Sequence, residues 1–179
     1  MKITSGEFKY RNIEVPRGIR PTTEKVREAV FSMIQDWLPG AAVLDLFAGS
    51  GAMGLEALSR GAEKCWFCES SRQNYRVLLA NIENCRAGER STVYNCDFHS
   101  ALSRINECLD IVILDPPYEM LAYYDDAFEG LESCGLTDEG SIVVAEHLYD
   151  NKLSETYGRF RRIKEKKYGT IGVDVYIYE

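Results

Sequence analysis

The sequence predicts a doubly wound α/β domain whose mostly parallel, seven-stranded sheet closes in an antiparallel hairpin. Three observations predict it. From residue 42 onward, short apolar runs alternate with segments of helical period, the pattern of strand–helix–strand units and a parallel sheet. A glycine-rich stretch, Gly49-x-Gly51-x-x-Gly54, follows the first of these runs and opens a helix. The last two runs are joined by Tyr168-Gly169-Thr170-Ile171, which is too short for a parallel crossover and so implies antiparallel pairing.

Residues 2–18 alternate loosely, with Ile3, Phe8, Tyr10, Ile13 and Val15 among Lys9, Arg11 and Asn12. This reads as a small β-hairpin arm over residues 1–20, preceding a main domain of residues 21–179. Arg20-Pro21-Thr22-Thr23 opens the first helix, with a Thr N-cap and Glu24 in the first turn. Val26, Val30, Phe31, Ile34 and Trp37 form its apolar stripe, and Pro39-Gly40 ends it. Residues 42–47 form a buried strand, the glycines a loop, and the next helix runs to about Arg60 with Gly61 after it. Residues 64–68 make the second strand, ending at Glu69. Ser70 or Ser71 caps a helix in which Tyr75, Leu78, Leu79 and Ile82 repeat. Residues 92–95 are the third strand, with Asp97 at its end and a helix to about Glu107. Ile111–Leu114 is the fourth. A helix over about 122–134, a fifth strand over 141–146, and strands over 159–167 and 172–178 complete the chain.

The fourth strand stops at Asp115-Pro116-Pro117-Tyr118. Neither proline donates to a ladder, and each restricts the residue before it to extended geometry. A stiff carboxylate therefore stands at the carboxyl end of a strand, the edge where open α/β sheets bind ligands. The bland alternative is a proline-rich strand exit with a solvated aspartate.

A chain of 179 residues with 45% hydrophobic and 27% charged content fits one globular domain. No apolar run approaches the roughly 18 residues of a membrane span. The opening Met1–Gly6 has no apolar core of a signal peptide, so a cytoplasmic setting is expected. Cys65 and Cys68 flank Trp66-Phe67, half the spacing of a zinc site. No second Cys/His pair completes it, so the six cysteines are expected to be buried free thiols, without metal. Net charge is −7, but unevenly spread. Residues 1–27 hold seven Lys/Arg against three Glu, and residues 159–167 hold six against one. Polyanions respond to local potential, so two basic ends on an acidic protein keep nucleic acid open as a partner; two solvated basic strands are the alternative.

The glycine fingerprint with Glu69 twenty residues after Gly49 suits two enzyme classes. In a nicotinamide-dependent oxidoreductase the helix N-terminus takes a pyrophosphate and the acid a ribose hydroxyl. In a methyltransferase the donor is S-adenosylmethionine, which shares the nucleoside but carries a sulfonium and an amino group. Asp45, inside the first strand near the loop, would repel a pyrophosphate and suit a cation. Asp97 supplies a further acceptor for an adenine amine. A binding module without catalysis leaves the stiff Asp115 without a task.

Val43–Gly51, Gly54–Ala62 and Asp115–Tyr118, together with Gly6-x-x-Lys9, Arg20-Pro21-Thr22, Val26–Ala29 and Tyr168-Gly169, resemble the bacterial 16S rRNA guanine-N2 methyltransferase family over nearly the whole chain. Tyr10 stands where that family often has glycine. Asp-Pro-Pro-Tyr alone is shared with adenine-N6 methyltransferases acting on DNA or RNA. The resemblance implies a Rossmann-like class I methyltransferase fold and S-adenosylmethionine as cofactor. It implies 16S rRNA as partner, within small-subunit particles, for a monomeric enzyme. It places Gly49, Ser50 and Gly51 at the methionine part of the cofactor, with Asp45 and Phe47 nearby, Glu69 at the ribose, Asp97 and Phe98 at the adenine, and Arg20 and Thr22 over it. Asp115, Pro116, Pro117 and Tyr118 are the implied catalytic residues. Lys9, Arg11, Arg17 and Arg20 are the implied RNA contacts. The Asp115 carboxylate and the Pro116 carbonyl can each accept from an exocyclic amine, and Tyr118 can stack on the base that carries it.

Overall fold

In the computed structural model, which describes residues 1–179, the sheet has eight strands in the order β3-β2-β1-β4-β5-β8-β7-β6. β1 (Ala42–Asp45), β2 (Lys64–Cys68), β3 (Ser91–Tyr94), β4 (Leu109–Leu114) and β5 (Thr137–Leu148) are parallel. β6 (Thr156–Tyr157), β7 (Phe160–Tyr168) and β8 (Ile171–Tyr178) pair antiparallel, with β8 against β5. The expected seventh-strand closure holds. The eighth strand, β6, is a two-residue edge with no hydrophobic run, so local pattern could not show it.

Five helices cover the sheet: α1 (Glu24–Met33), α2 (Ala52–Ser59), α3 (Arg72–Asn84), α4 (Phe98–Arg104) and α5 (Ala122–Ser133). Strand residues alternate between two cores. Val43, Ile111, Ile113, Ile142 and Val144 face α1, α2 and α3. Leu44, Val112, Leu114, Val143 and Ala145 face α4 and α5. Both faces are covered, as parallel strands require. The caps are local: Thr23 Oγ1 accepts from Val26 N, Ser71 Oγ from Asn74 N, and Asp97 Oδ1 from Ser100 N. No helix is long and apolar enough to cross a membrane.

The expected N-terminal hairpin is rudimentary: Ile3 N donates to Arg11 O, Tyr10 N to Ile3 O and Ile13 N to Met1 O, but no regular strand forms. Residues 1–20 contain one isolated bridge, Lys2 to Asn12, and are docked on the main domain. Ile3, Phe8 and Ile13 are buried in the core beneath α1 and α2. Glu56, fully buried on α2, explains the docking. Its Oε1 accepts from Thr4 N, Thr4 Oγ1 and Arg27 Nε at 2.9–3.0 Å. Its Oε2 accepts from Ser5 N at 3.3 Å and Arg60 Nε at 3.1 Å. Asn81 of α3 adds a second tie: its Oδ1 accepts from Glu14 N, and its Nδ2 donates to Glu14 O and to Ser50 O. The loose alternation of residues 2–18 marks apolar anchors rather than strand faces. Tyr10 sits at φ 72, the left-handed region that favours glycine, and is 70% exposed.

All six cysteines are free, as expected, but Cys108 and Cys134 are exposed and only Cys65, Cys68 and Cys85 are fully buried.

Candidate active site

The strand tips and the loops beyond them enclose a cleft of about 540 Å³, a size suited to a nucleoside-bearing cofactor. Its floor is the loop from Phe47 to Met53, its far wall Glu69–Ser71 and Cys96–His99, and its near wall Asp115–Glu119. A strap, Gly18–Thr22, crosses it. Every cofactor residue expected from sequence lines this cleft except Gly51.

The glycine loop is built for close approach. Gly51 has φ 84, and a Cβ on Gly54 would meet Phe67 Cε1 at 2.3 Å, so α2 lies against β2 only with glycine there. Asp45 points under this loop. It is 2% exposed, and its Oδ2 accepts from Gly54 N at 3.0 Å. Burial, and secondarily the charge of Glu69, push its pKa up to about 7. A cation placed beside it would draw the proton off again. Glu69 Oε1 accepts from Gly49 N and Oε2 from Ser71 N. Those two bonds fix the carboxylate across the mouth of the cleft and leave each oxygen a second lone pair. Asp97 is exposed; Ser100 N and Oγ hold its oxygens and keep its pKa below the usual range. Phe47, Phe98 and Tyr123 pack with ring centroids 4.9–5.8 Å apart, forming an apolar wall beside Asp97.

At the near wall the structure adds a residue that the sequence reading did not single out. Glu146, at the end of β5, continues the register that pairs Leu114 with Ala145, and so stands next to Asp115. Thr22 Oγ1 lies 2.7 Å from Glu146 Oε2 and 3.3 Å from Asp115 Oδ2. With a single hydrogen, that hydroxyl donates to one carboxylate at a time. Tyr118 Oη donates to Glu146 Oε1 at 3.1 Å, and Tyr124 Oη to the Glu146 carbonyl at 2.6 Å. No cation reaches either carboxylate. Burial raises the pKa of both, and the charge of Glu146 raises that of Asp115 further. The signal for Glu146 was present: a carboxylate closing the apolar run Ile142–Ala145, as Asp115 closes Ile111–Leu114. Tyr123 had no such signal.

The four expected RNA contacts separate. Arg20 lines the cleft mouth, and Arg17 is exposed just before the strap. Arg11 is elsewhere: its Nη1 donates to Asn84 O at the last residue of α3. α3 starts beyond the carboxyl end of β2 and returns to feed β3, so its end marks the opposite edge of the sheet, about 20 Å away. Exposed Lys9, two residues earlier, lies in the same docked segment.

Carboxylates therefore line the cleft at Asp45, Glu69, Asp97, Asp115 and Glu119, with Glu146 behind Asp115, and Arg20 is the one Lys or Arg among the lining residues. That arrangement disfavours a pyrophosphate and favours a positively charged donor, which answers the choice left open between the two enzyme classes. On a doubly wound sheet with this loop, the donor is S-adenosylmethionine, and the protein is a class I methyltransferase.

Comparison with known proteins narrows the class. The family model described as "Conserved hypothetical protein 95" matches residues 1–177. "Ribosomal RNA small subunit methyltransferase D" of Escherichia coli is 32% identical over 98% of this chain and 89% of its own. "Putative rRNA methyltransferase YlbH" of Bacillus subtilis is 35% identical over 98% of each. The solved structure "Putative methyltransferase yhhF from Escherichia coli" superposes with a TM-score of 0.90 at 32% identity, covering 100% of this chain and 98% of that one. The chain belongs to this family of ribosomal RNA small subunit methyltransferases.

Proposed function

We propose that the protein methylates the exocyclic N2 amine of a guanine in 16S rRNA, acting as a monomer in the cytoplasm on small-subunit particles. The observation that carries the reading is the position of Asp115: a proline-locked carboxylate, free of any cation, opening into the cleft that the glycine loop also lines. The family relationship supplies the rRNA; the residues supply an amine acceptor. When bound, S-adenosylmethionine would supply a methyl group made electrophilic by a sulfonium, its C–S bond breaking to leave a neutral thioether. Gly49 and Ser50 take its methionine part, with Gly51 shaping the loop and Asp45 and Phe47 close by. Glu69 accepts from the ribose hydroxyls, and Asp97 and Phe98 hold the adenine.

A guanine amine is planar, with its lone pair delocalised into the ring, and is a poor nucleophile. Asp115, with the Pro116 carbonyl, accepts its hydrogens, orients it and keeps electron density on nitrogen as the new N–C bond forms. The amine proton leaves toward Asp115. Pro117 keeps the turn stiff. Tyr118, its hydroxyl anchored on Glu146, offers a ring on which an unstacked base can rest. Arg17 and Arg20 meet the RNA at the mouth, and Thr22 holds the strap to the catalytic wall.

The test is transfer of a labelled methyl group to small-subunit particles that lack the modification, followed by nucleoside analysis. N2-methylguanosine is expected. N6-methyladenosine, or transfer only to DNA, overturns the substrate assignment.

A further inference from the structure

Two basic segments compete for the RNA backbone, and the fold sends them to opposite edges of the sheet. The N-terminal Lys9 and Arg11 lie at the edge where α3 ends. The basic strand β7 runs parallel to β5, because both are antiparallel to β8. Its C-terminal end therefore arrives at the edge that carries Asp115. Register makes this specific. Glu146 pairs with Val173, and Val173 pairs with Lys166. Lys166 thus points to the same sheet face as Glu146 and Asp115, two strand spacings from Glu146, or about 10 Å.

We propose that the tip of the β7–β8 hairpin, Lys166 and Lys167 with Lys152 and Tyr149, holds the RNA phosphate backbone beside the target nucleotide. This deepens the function proposed above and rests on it.

The charge balance there favours a polyanion. Glu165, the one acid within this stretch of β7, is spent on Lys152 at 2.9 Å and Arg162 at 3.3 Å. Lys166 and Lys167 are exposed and enter no ion pair. Lys152 and Lys167 both lie over the Tyr149 ring, at 3.3 and 4.6 Å from its centroid. Tyr149 N donates to Thr170 O at 2.8 Å, fixing the ring to the hairpin turn. With Lys152 paired to Glu165, the unpaired ammonium groups of Lys166 and Lys167 beside this ring are the ones that can meet an anion. Edge lysines also protect a sheet from pairing with another chain, and β6 covers only the start of β7. Charge reversal separates the two roles, since glutamate protects an edge as well as lysine does.

The experiment compares K166E/K167E with wild type for methylation of the unmodified particle and for binding of protein-free 16S rRNA at several salt concentrations. The double variant is expected to raise KM for the particle on the order of tenfold, with kcat and cofactor affinity unchanged. The slope of log affinity against log salt for rRNA should fall by about 1–2. R11E, on the opposite edge, is expected to change KM less. A double variant with wild-type KM overturns the proposal. So does a larger loss in R11E. A raised KM with an unaltered rRNA salt slope overturns it too, and would make a ribosomal protein the partner. If the wild-type enzyme transfers no methyl group to the particle, the proposed function itself fails and takes this inference with it.

Discussion

Two carboxylate sites, one inside helix α2 and one at the carboxyl edge of the sheet, have opposite chemistry. On α2, Glu56 accepts five hydrogen bonds, two of them from Arg27 and Arg60. At the carboxyl edge, Asp115 and Glu146 share the Thr22 hydroxyl, Glu146 alone accepts from Tyr118, and neither makes an ion pair. Glu56 is saturated, so it can only hold the docked N-terminal segment to α1 and α2. The Asp115–Glu146 pair is under-supplied: its oxygens keep spare lone pairs, which is the condition for receiving an amine. Saturation separates a structural acid from a functional one better than burial does, since Glu56 and Glu146 are both buried.

The largest test of this contrast is Asp115→Ala. It should lower methyl transfer on the order of a thousandfold while thermal stability and cofactor affinity, measured by calorimetry, stay near wild type. Wild-type turnover would remove Asp115 from the mechanism. Glu56→Ala should do the reverse. Stranding the Arg27 guanidinium in the core should cost about 3–5 kcal/mol of stability, read from denaturant unfolding, and any activity loss should track unfolding. A Glu56→Ala protein of normal stability would mean that the cluster carries no net energy.

Glu146→Gln sharpens the comparison with the smallest effect. Asp115 accepts hydrogens only as a carboxylate, so activity falls as pH drops through its raised pKa. Removing the neighbouring charge lowers that pKa, so the acid limb of the kcat/KM profile should move to lower pH than in wild type. A limb that stays in place would show that the two carboxylates do not interact.

Much of this site was legible in the chain, because strand tips and caps are set by neighbouring residues. Asp115 is displayed by its own two prolines, and the loop after Asp45 by its own glycines. Asp97 was read as a strand-end acceptor, and it also proved to cap α4 with that same side chain. The failures have a common cause. Residues 1–3 and 10–13 do find each other, but the pairing stays a single bridge because Glu56 and Asn81 take the backbone N–H groups of Thr4, Ser5 and Glu14. Glu146 carried the same local signature as Asp115, yet its meaning depends on which strand lies beside β4.

The sequence by itself determined the alternation of strands and helices, the glycine loop, and the carboxylates at the strand tips. Each follows from period, turn chemistry and capping within a few residues. The tertiary structure alone decided that Thr22 clasps Glu146 across 124 residues, and which basic segment shares an edge with the catalytic acid. Those outcomes depend on strand order and direction, and no local preference encodes them.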